Sequence, residues 1–236
     1  MRKLFCLAVI SFSSFYGLAQ TRTVDVDKED TGTGGAYFTV SGEPFVNTKF
    51  VRLVEGSPYF KEQWLQGLLL LEKNRQYQGL LKLDLFGNEI HYQDANGKDF
   101  VLTLPVQKIS LTEGGTIYHF IHASLLPDKP SASTTAWFLQ LYADSVALYK
   151  YFQKSMSENR PYNSATYEQK IWTKEAYRIY YRGVPVEIKK LKEAPALFGD
   201  KKSALEAFLK NQDDKKASMD DRLIAFARYL NSLVSQ

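Results

Sequence analysis

His119 and His122 stand three residues apart in "HFIH" (119–122), the separation at which two imidazoles on one helix face could share a metal ion. The flanking "TIYHFIHASL" alternates apolar and polar residues, however, and so predicts a strand. An odd separation on a strand sends the two rings to opposite faces. No carboxylate lies within the run, and the third histidine, His91, falls in another predicted strand. The expectation is therefore ordinary strand histidines, with no metal and no cofactor. Ser57 in "EGSPYF" is no better placed as a nucleophile. The chain has no G-x-S-x-G, and Pro58 removes the backbone N–H that an oxyanion hole would use. Three carboxylate pairs occur: Asp94/Asp99, Asp213/Asp214 and Asp220/Asp221. All fall at predicted turns or helix starts, where Asp caps backbone N–H groups. Glycosidic acid–base work needs two carboxyls held about 5–10 Å apart in a cleft, which sequence spacing does not establish. Gly32-Thr33-Gly34-Gly35 lacks a third spaced glycine and is followed by no βαβ unit, so it is not a dinucleotide loop. No catalytic residue emerges, and an enzyme is the weakest of the readings.

Two stretches are candidates for binding instead. "AYRIYYRG" (176–183) reads as a strand on which Tyr177, Ile179 and Tyr181 share one face, suited to a core. Arg178, Tyr180 and Arg182 share the other, an Arg-Tyr-Arg ladder able to stack on sugars or hold acidic groups. Period-two geometry would expose these three together; the competing reading is a solvated outer face. "EGSPYFKEQW" (55–64) mixes Gly, Pro and three aromatics. Pro58 biases Ser57 to extended backbone and Gly56 relaxes the steric limits. A structural corner pressing Tyr59, Phe60 and Trp64 onto the first long strand is the better reading.

The elements that must position these residues follow from periodicity. Residues 1–19 have the layout of a Sec signal: Arg2 and Lys3, an apolar run from Leu4, then Gly17-Leu18-Ala19. The run is too short and too serine-interrupted for a membrane span. Cys6, the single cysteine, lies inside it, so a mature chain starting at Gln20 would carry no lipid on cysteine, no disulfide and no thiol site. Losing Arg2 and Lys3 with the signal lowers the formal charge from +4 to +2, which argues against nucleic acid as a partner. Tyrosine is as common as phenylalanine, 15 of each, and such usage favours half-buried strand positions.

Residues 20–36 read as a flexible leader. Residues 37–188 carry strand signals: 64–72 pairing with 79–86, then 89–94, 99–104, 107–111, 116–125 and 136–142 as a consecutive antiparallel meander. Leu68–Leu71 suggests a strand buried on both faces. Residues 145–152 suit strand or helix, and "QKSMSENRPYNSAT" (153–166) is a loop by composition. Residues 189–236 turn helical, with Asp200 as one cap and Ser218/Asp221 as a capping box. The fold class is α+β: an antiparallel sheet, open, curved or barrel-like, with short C-terminal helices packed on it.

The segments "GSPYFKEQWLQG" (56–67), "YQGLLKLDLFGNEIHY" (77–92), "ALYKYF" (147–152), "YRIYYRGVPVEIKK" (177–190) and "FGDKKSALEAFLKN…LNSL" together resemble an uncharacterised family of secreted, Sec-exported Bacteroidota envelope proteins. The resemblance implies a periplasmic address and a β-plus-C-terminal-helix layout, and it transfers no catalytic residue. The expected function is a non-catalytic periplasmic module contacting an envelope protein or glycan, peripheral to the membrane at most. The alternative is a carrier holding an apolar ligand in the curved sheet beneath the helices.

Overall fold

The computed structural model describes residues 41–45, 50, 52–128, 135–163, 165–212 and 217–234. The expected signal and leader, the 129–134 part of the Pro-bearing loop, and Asp213/Asp214 lie outside the described residues. The described residues form twelve strands: β1 (Gly42–Pro44), β2 (Leu53–Glu55), β3 (Leu65–Leu71), β4 (Gln76–Asp84), β5 (Glu89–Gln93), β6 (Asp99–Leu102), β7 (Val106–Glu113), β8 (Thr116–His122), β9 (Trp137–Ala143), β10 (Ala147–Asn159), β11 (Glu168–Tyr181) and β12 (Val184–Ile188). A 3-10 stretch (Leu191–Lys201) then leads into α1 (Lys202–Asn211) and α2 (Met219–Val234).

These strands form one open sheet, eleven of them in the order β1-β6-β5-β4-β3-β7-β8-β9-β10-β11-β12 and β2 off this path against β11. Pairing is antiparallel throughout, save that β2 adds in parallel beside β11. The expected meander is thus broken once. β7 pairs with β3, not with β6, the strand that precedes it in the chain. A flat sheet would set β6 and β7 four strand spacings apart, roughly 19 Å. The four residue steps from Leu102 to Val106 reach at most about 14 Å. The sheet must therefore roll, and its curled half encloses a core of Leu69, Leu81, Ile109, Leu111 and Phe120.

Three further expectations are corrected. β3 is buried on one face: Leu65, Leu69 and Leu71 point inward, while Leu68 stands 37% exposed. β10 is a strand from 147 and runs through 153–159, which the polar composition had suggested to be loop. Asp200 does not cap α1. The 3-10 stretch ends at Lys201, which takes the N-cap position without a side-chain bond. At α2 Ser218 caps as expected, with Asp221 N–H donating to Ser218 Oγ at 3.1 Å, while the Asp221 carboxylate accepts from the Ser218 hydroxyl at 2.7 Å.

The helices lie on the inner face of the rolled sheet at its β10–β12 end. Leu205, Leu223, Phe226, Ala227 and Leu230 close over Leu148, Ile179 and Ile188. On the outer face, the chain between β8 and β9 covers the roots of β9–β11, burying Leu126 and Ala136 among Phe138, Tyr149 and Tyr180.

Candidate binding surface

β10 and β11 form a long antiparallel hairpin, paired from Ala147↔Tyr180 to Asn159↔Glu168. Strand alternation places Tyr180, Arg178, Ala176, Lys174, Trp172 and Lys170 on its outer face, opposite Ala147, Tyr149, Tyr151, Gln153, Ser155 and Ser157. The root of this face is closed and its distal half is open.

The Arg-Tyr-Arg ladder sits at the closed root. Tyr180 is only 5% exposed, and its hydroxyl donates to Asp128 Oδ1. Burial, reinforced by Asp128, pushes the phenol well above its ordinary range. Arg178 donates from Nη1 to Asp128 Oδ2 at 2.9 Å and from Nη2 to Glu187 at 2.8 Å. Arg182 is displaced from the ladder: its φ of 52° places it, with Gly183, in the β11–β12 turn. The expectation of three side chains exposed together is therefore corrected. Asp128 pins two of them, and backbone turning removes the third. On the opposite face Tyr177 and Ile179 are buried, as the alternation requires, and Tyr181 is half-buried against Phe198.

The distal half carries Trp172, 52% exposed, directly opposite Ser155. Its indole N–H donates to Ser157 Oγ at 3.1 Å, which fixes the ring along β10. Lys174 and Gln153 form the neighbouring cross-strand pair, and all four residues are exposed. Sequence reasoning missed this surface because the polar run 153–159 lacks apolar alternation. Its one legible signal was Lys154, Met156 and Glu158 alternating with Gln153, Ser155 and Ser157.

The 55–64 stretch is a corner, as expected, but its aromatics meet strands other than the first long one: Tyr59 packs on His91 of β5, Trp64 meets Lys82 of β4, and Phe60 lies against β8 and β10. Gly56 has φ +79°, and a Cβ there would lie 2.0 Å from the Ile171 carbonyl oxygen. The Pro58 carbonyl accepts from the Leu85 and Phe86 amides, and Phe60 packs edge-on against Tyr118, Phe120 and Phe152. Lys154 reaches under the corner to donate to the Ser57 and Tyr59 carbonyls at 2.8 and 3.0 Å. Burial lowers its pKa, with Asp84 and Glu62 opposing. The same corner half-buries Tyr59, whose phenol is pushed up to about 12 by burial and nearby carboxylates.

The histidines do not converge. His119 shares a hydrogen bond with Ser110, and His122 bonds Ser124 beside Trp137. His91 instead meets Asp84 and Glu89 across the β4–β5 hairpin, the ligand atoms of the three lying within 4.8 Å of one another. Such an oxygen–nitrogen set could hold a divalent ion. Asp84, however, already accepts the Phe86 and Gly87 amides at 2.8 Å, and His91 packs on Phe45 and Tyr59. The hairpin geometry was readable in "DLFGNEIH", since antiparallel pairing across Gly87-Asn88 sets 84 against 89 and 82 against 91. The remaining buried charge, Lys150, joins Glu175 and Asp220 at 2.9 and 3.0 Å and serves the helix contact. A cavity of about 340 Å³ opens among Ile90, Leu102, Leu104, Val106, His122 and Trp137. No family model, no curated protein and no solved structure matches the chain.

Proposed function

We propose that this chain is an exported, non-catalytic binding or assembly module of the cell envelope, peripheral to the membrane at most. It contacts an envelope protein or glycan through the outer face of β10 and β11. The observation that carries the reading is Trp172, a half-exposed indole held by a hydrogen bond in the middle of a regular hairpin. Large exposed aromatics on rigid backbone dominate binding surfaces, because they give contact area at small entropic cost. Leu148 and Ile179, on the inner face of the two strands, are 0% exposed beneath the C-terminal helices, so the inner side of the hairpin root is taken up by the chain itself and the outer face is the one left for a partner. The carrier reading retains one support, the cavity beside Trp137, whose indole N–H has no acceptor among the described residues.

Photo-crosslinking from Ser155 in intact envelopes, followed by affinity purification, tests the proposal. A specific adduct formed from Ser155 and not from Leu197, an exposed residue of the 3-10 stretch, supports it. Equal labelling from both positions, or none from Ser155, sinks it. Intact-mass measurement of the exported chain checks the address: a start at Gln20 without a diacylglyceryl adduct is expected.

A further inference from the structure

Resting on that reading, we propose that Trp172, Lys174, Gln153 and Ser155 form a subsite for an acidic sugar, a pyranose carrying a carboxylate. The four residues make a tile. Trp172↔Ser155 and Lys174↔Gln153 are adjacent cross-strand pairs on one face, and all four side chains are exposed. Neighbouring same-face residues stand about 7 Å apart along a strand, and cross-strand partners about 5 Å apart. That is the footprint of one sugar ring. The indole supplies a flat apolar surface for the ring's axial C–H groups, and its orientation is set in advance by the bond to Ser157 Oγ at 3.1 Å. Gln153 and Ser155 supply the amide and hydroxyl that a ring of equatorial hydroxyls requires.

Charge decides between a neutral and an acidic sugar. Three cations lie on this face. Lys170 is neutralised by Glu55 at 2.8 Å, and Arg178 by Asp128 and Glu187. Lys174, beside Trp172, has no ion-pair partner among the described residues. A carboxylate on the stacked ring would meet an ammonium one strand step away, a charge-assisted contact on a surface otherwise balanced. The same arrangement disfavours a protein partner, because the tile has one aromatic among polar residues and lacks the apolar cluster typical of protein interface cores.

The full exported chain is titrated with oligomers of a hexuronic acid and of the corresponding neutral hexose by isothermal titration calorimetry, a readout that does not depend on the Trp172 indole. Saturable binding of the acidic oligomer is expected, weakened about tenfold or more by Trp172→Ala with the melting temperature unchanged. Lys174→Gln should weaken the acidic oligomer while leaving the neutral one as it was. Equal binding of both oligomers, or full binding by Trp172→Ala, overturns the subsite. If neither oligomer binds while Ser155 crosslinks an envelope protein, the sugar assignment falls and the binding-module reading stands. If neither occurs, both fall.

Discussion

Lys150 and Asp220 lie 3.0 Å apart, one in the first third of β10 and the other in the first turn of α2. The ammonium is nearly buried, yet both its carboxylate partners keep some water: Asp220 is 31% and Glu175 46% exposed in the side chain. Tyr177 closes the network by donating to Asp220 at 2.6 Å, and burial together with that bond drives its pKa far upward. An acidic first turn complements the helix dipole, so Asp220 is favoured there even before it meets the lysine. The network fixes where α2 lands on the sheet.

Lys150→Met should therefore destabilise by about 2–3 kcal/mol, less than the roughly 3–5 kcal/mol of a fully buried pair, because water can reach the orphaned carboxylates. Asp220→Asn should cost less, and the double variant should be clearly non-additive. Denaturant unfolding of the cycle measures this; strict additivity would show that the pair does not couple.

The apolar half of the same contact is Phe226, 0% exposed and facing Phe198 with ring centroids 5.8 Å apart. Phe226→Ala should cost about 3–5 kcal/mol, the range for a core aromatic. An unchanged melting temperature would mean that the helices are detached from the sheet.

At the corner, Gly56→Ala should lower stability by about 1–3 kcal/mol, since its Cβ would collide with backbone. That Cβ would lie 2.0 Å from the Ile171 carbonyl oxygen, at a φ of +79°. Ser57→Ala removes only an acceptor for the Tyr59 amide at 3.1 Å and should cost about 0.5–1.5 kcal/mol. A larger loss for Ser57→Ala than for Gly56→Ala, read in thermal melts, contradicts the conformational account.

His122 supplies a pH dependence. Burial holds its pKa below the usual 6.5, and Nδ1 accepts the Ser124 amide, which only the unprotonated nitrogen can do. Glu72 and Glu89 line the same cavity. Between the folded pKa and 6.5 the unfolded chain binds more protons than the folded one. The contribution of His122 is thus fully present above pH 6.5 and is lost as pH falls through that window, with a slope bounded at about 1.4 kcal/mol per pH unit. Unfolding at pH 7.5 and 5.5 should show a smaller difference for His122→Gln than for the parent chain; an equal difference refutes the assignment.

The fold class was legible because one-sided burial leaves period-two and 3.6-residue stripes. Leu81 and Leu83 against Lys82, and Phe226 with Leu230, wrote the strand and the helix plainly. The β3–β7 pairing was not legible, since hydrophobic alternation says which face a residue takes and not which strand lies beside it. The distal hairpin was hidden for a different reason. Ser155 and Ser157 face water, and a strand with little to bury resembles a loop in composition. The ladder failed through a contact distant in sequence: nothing near Tyr180 announces that Asp128, 52 residues away, will cover it.

That contact gives the last prediction. Arg178 is 18% exposed in its side chain and bridges Asp128 to Glu187, while Arg182 sits in the exposed β11–β12 turn with no ion pair among the described residues. The two arginines should therefore separate. Arg178→Ser removes the cation that lies beside both carboxylates and leaves Asp128, 25% exposed, without its ion pair. It should lower the melting temperature by several degrees, corresponding to about 1–3 kcal/mol for a charged hydrogen-bond partner lost. Arg182→Ser should move it by no more than a degree or two. Pairing Arg178→Ser with Asp128→Ala should recover part of the sum, because each variant alone already breaks the shared bridge. Equal melting temperatures for the two arginine variants would mean that Asp128 does not hold the β8–β9 connection on the sheet, and that the root of this face is as open as its distal half.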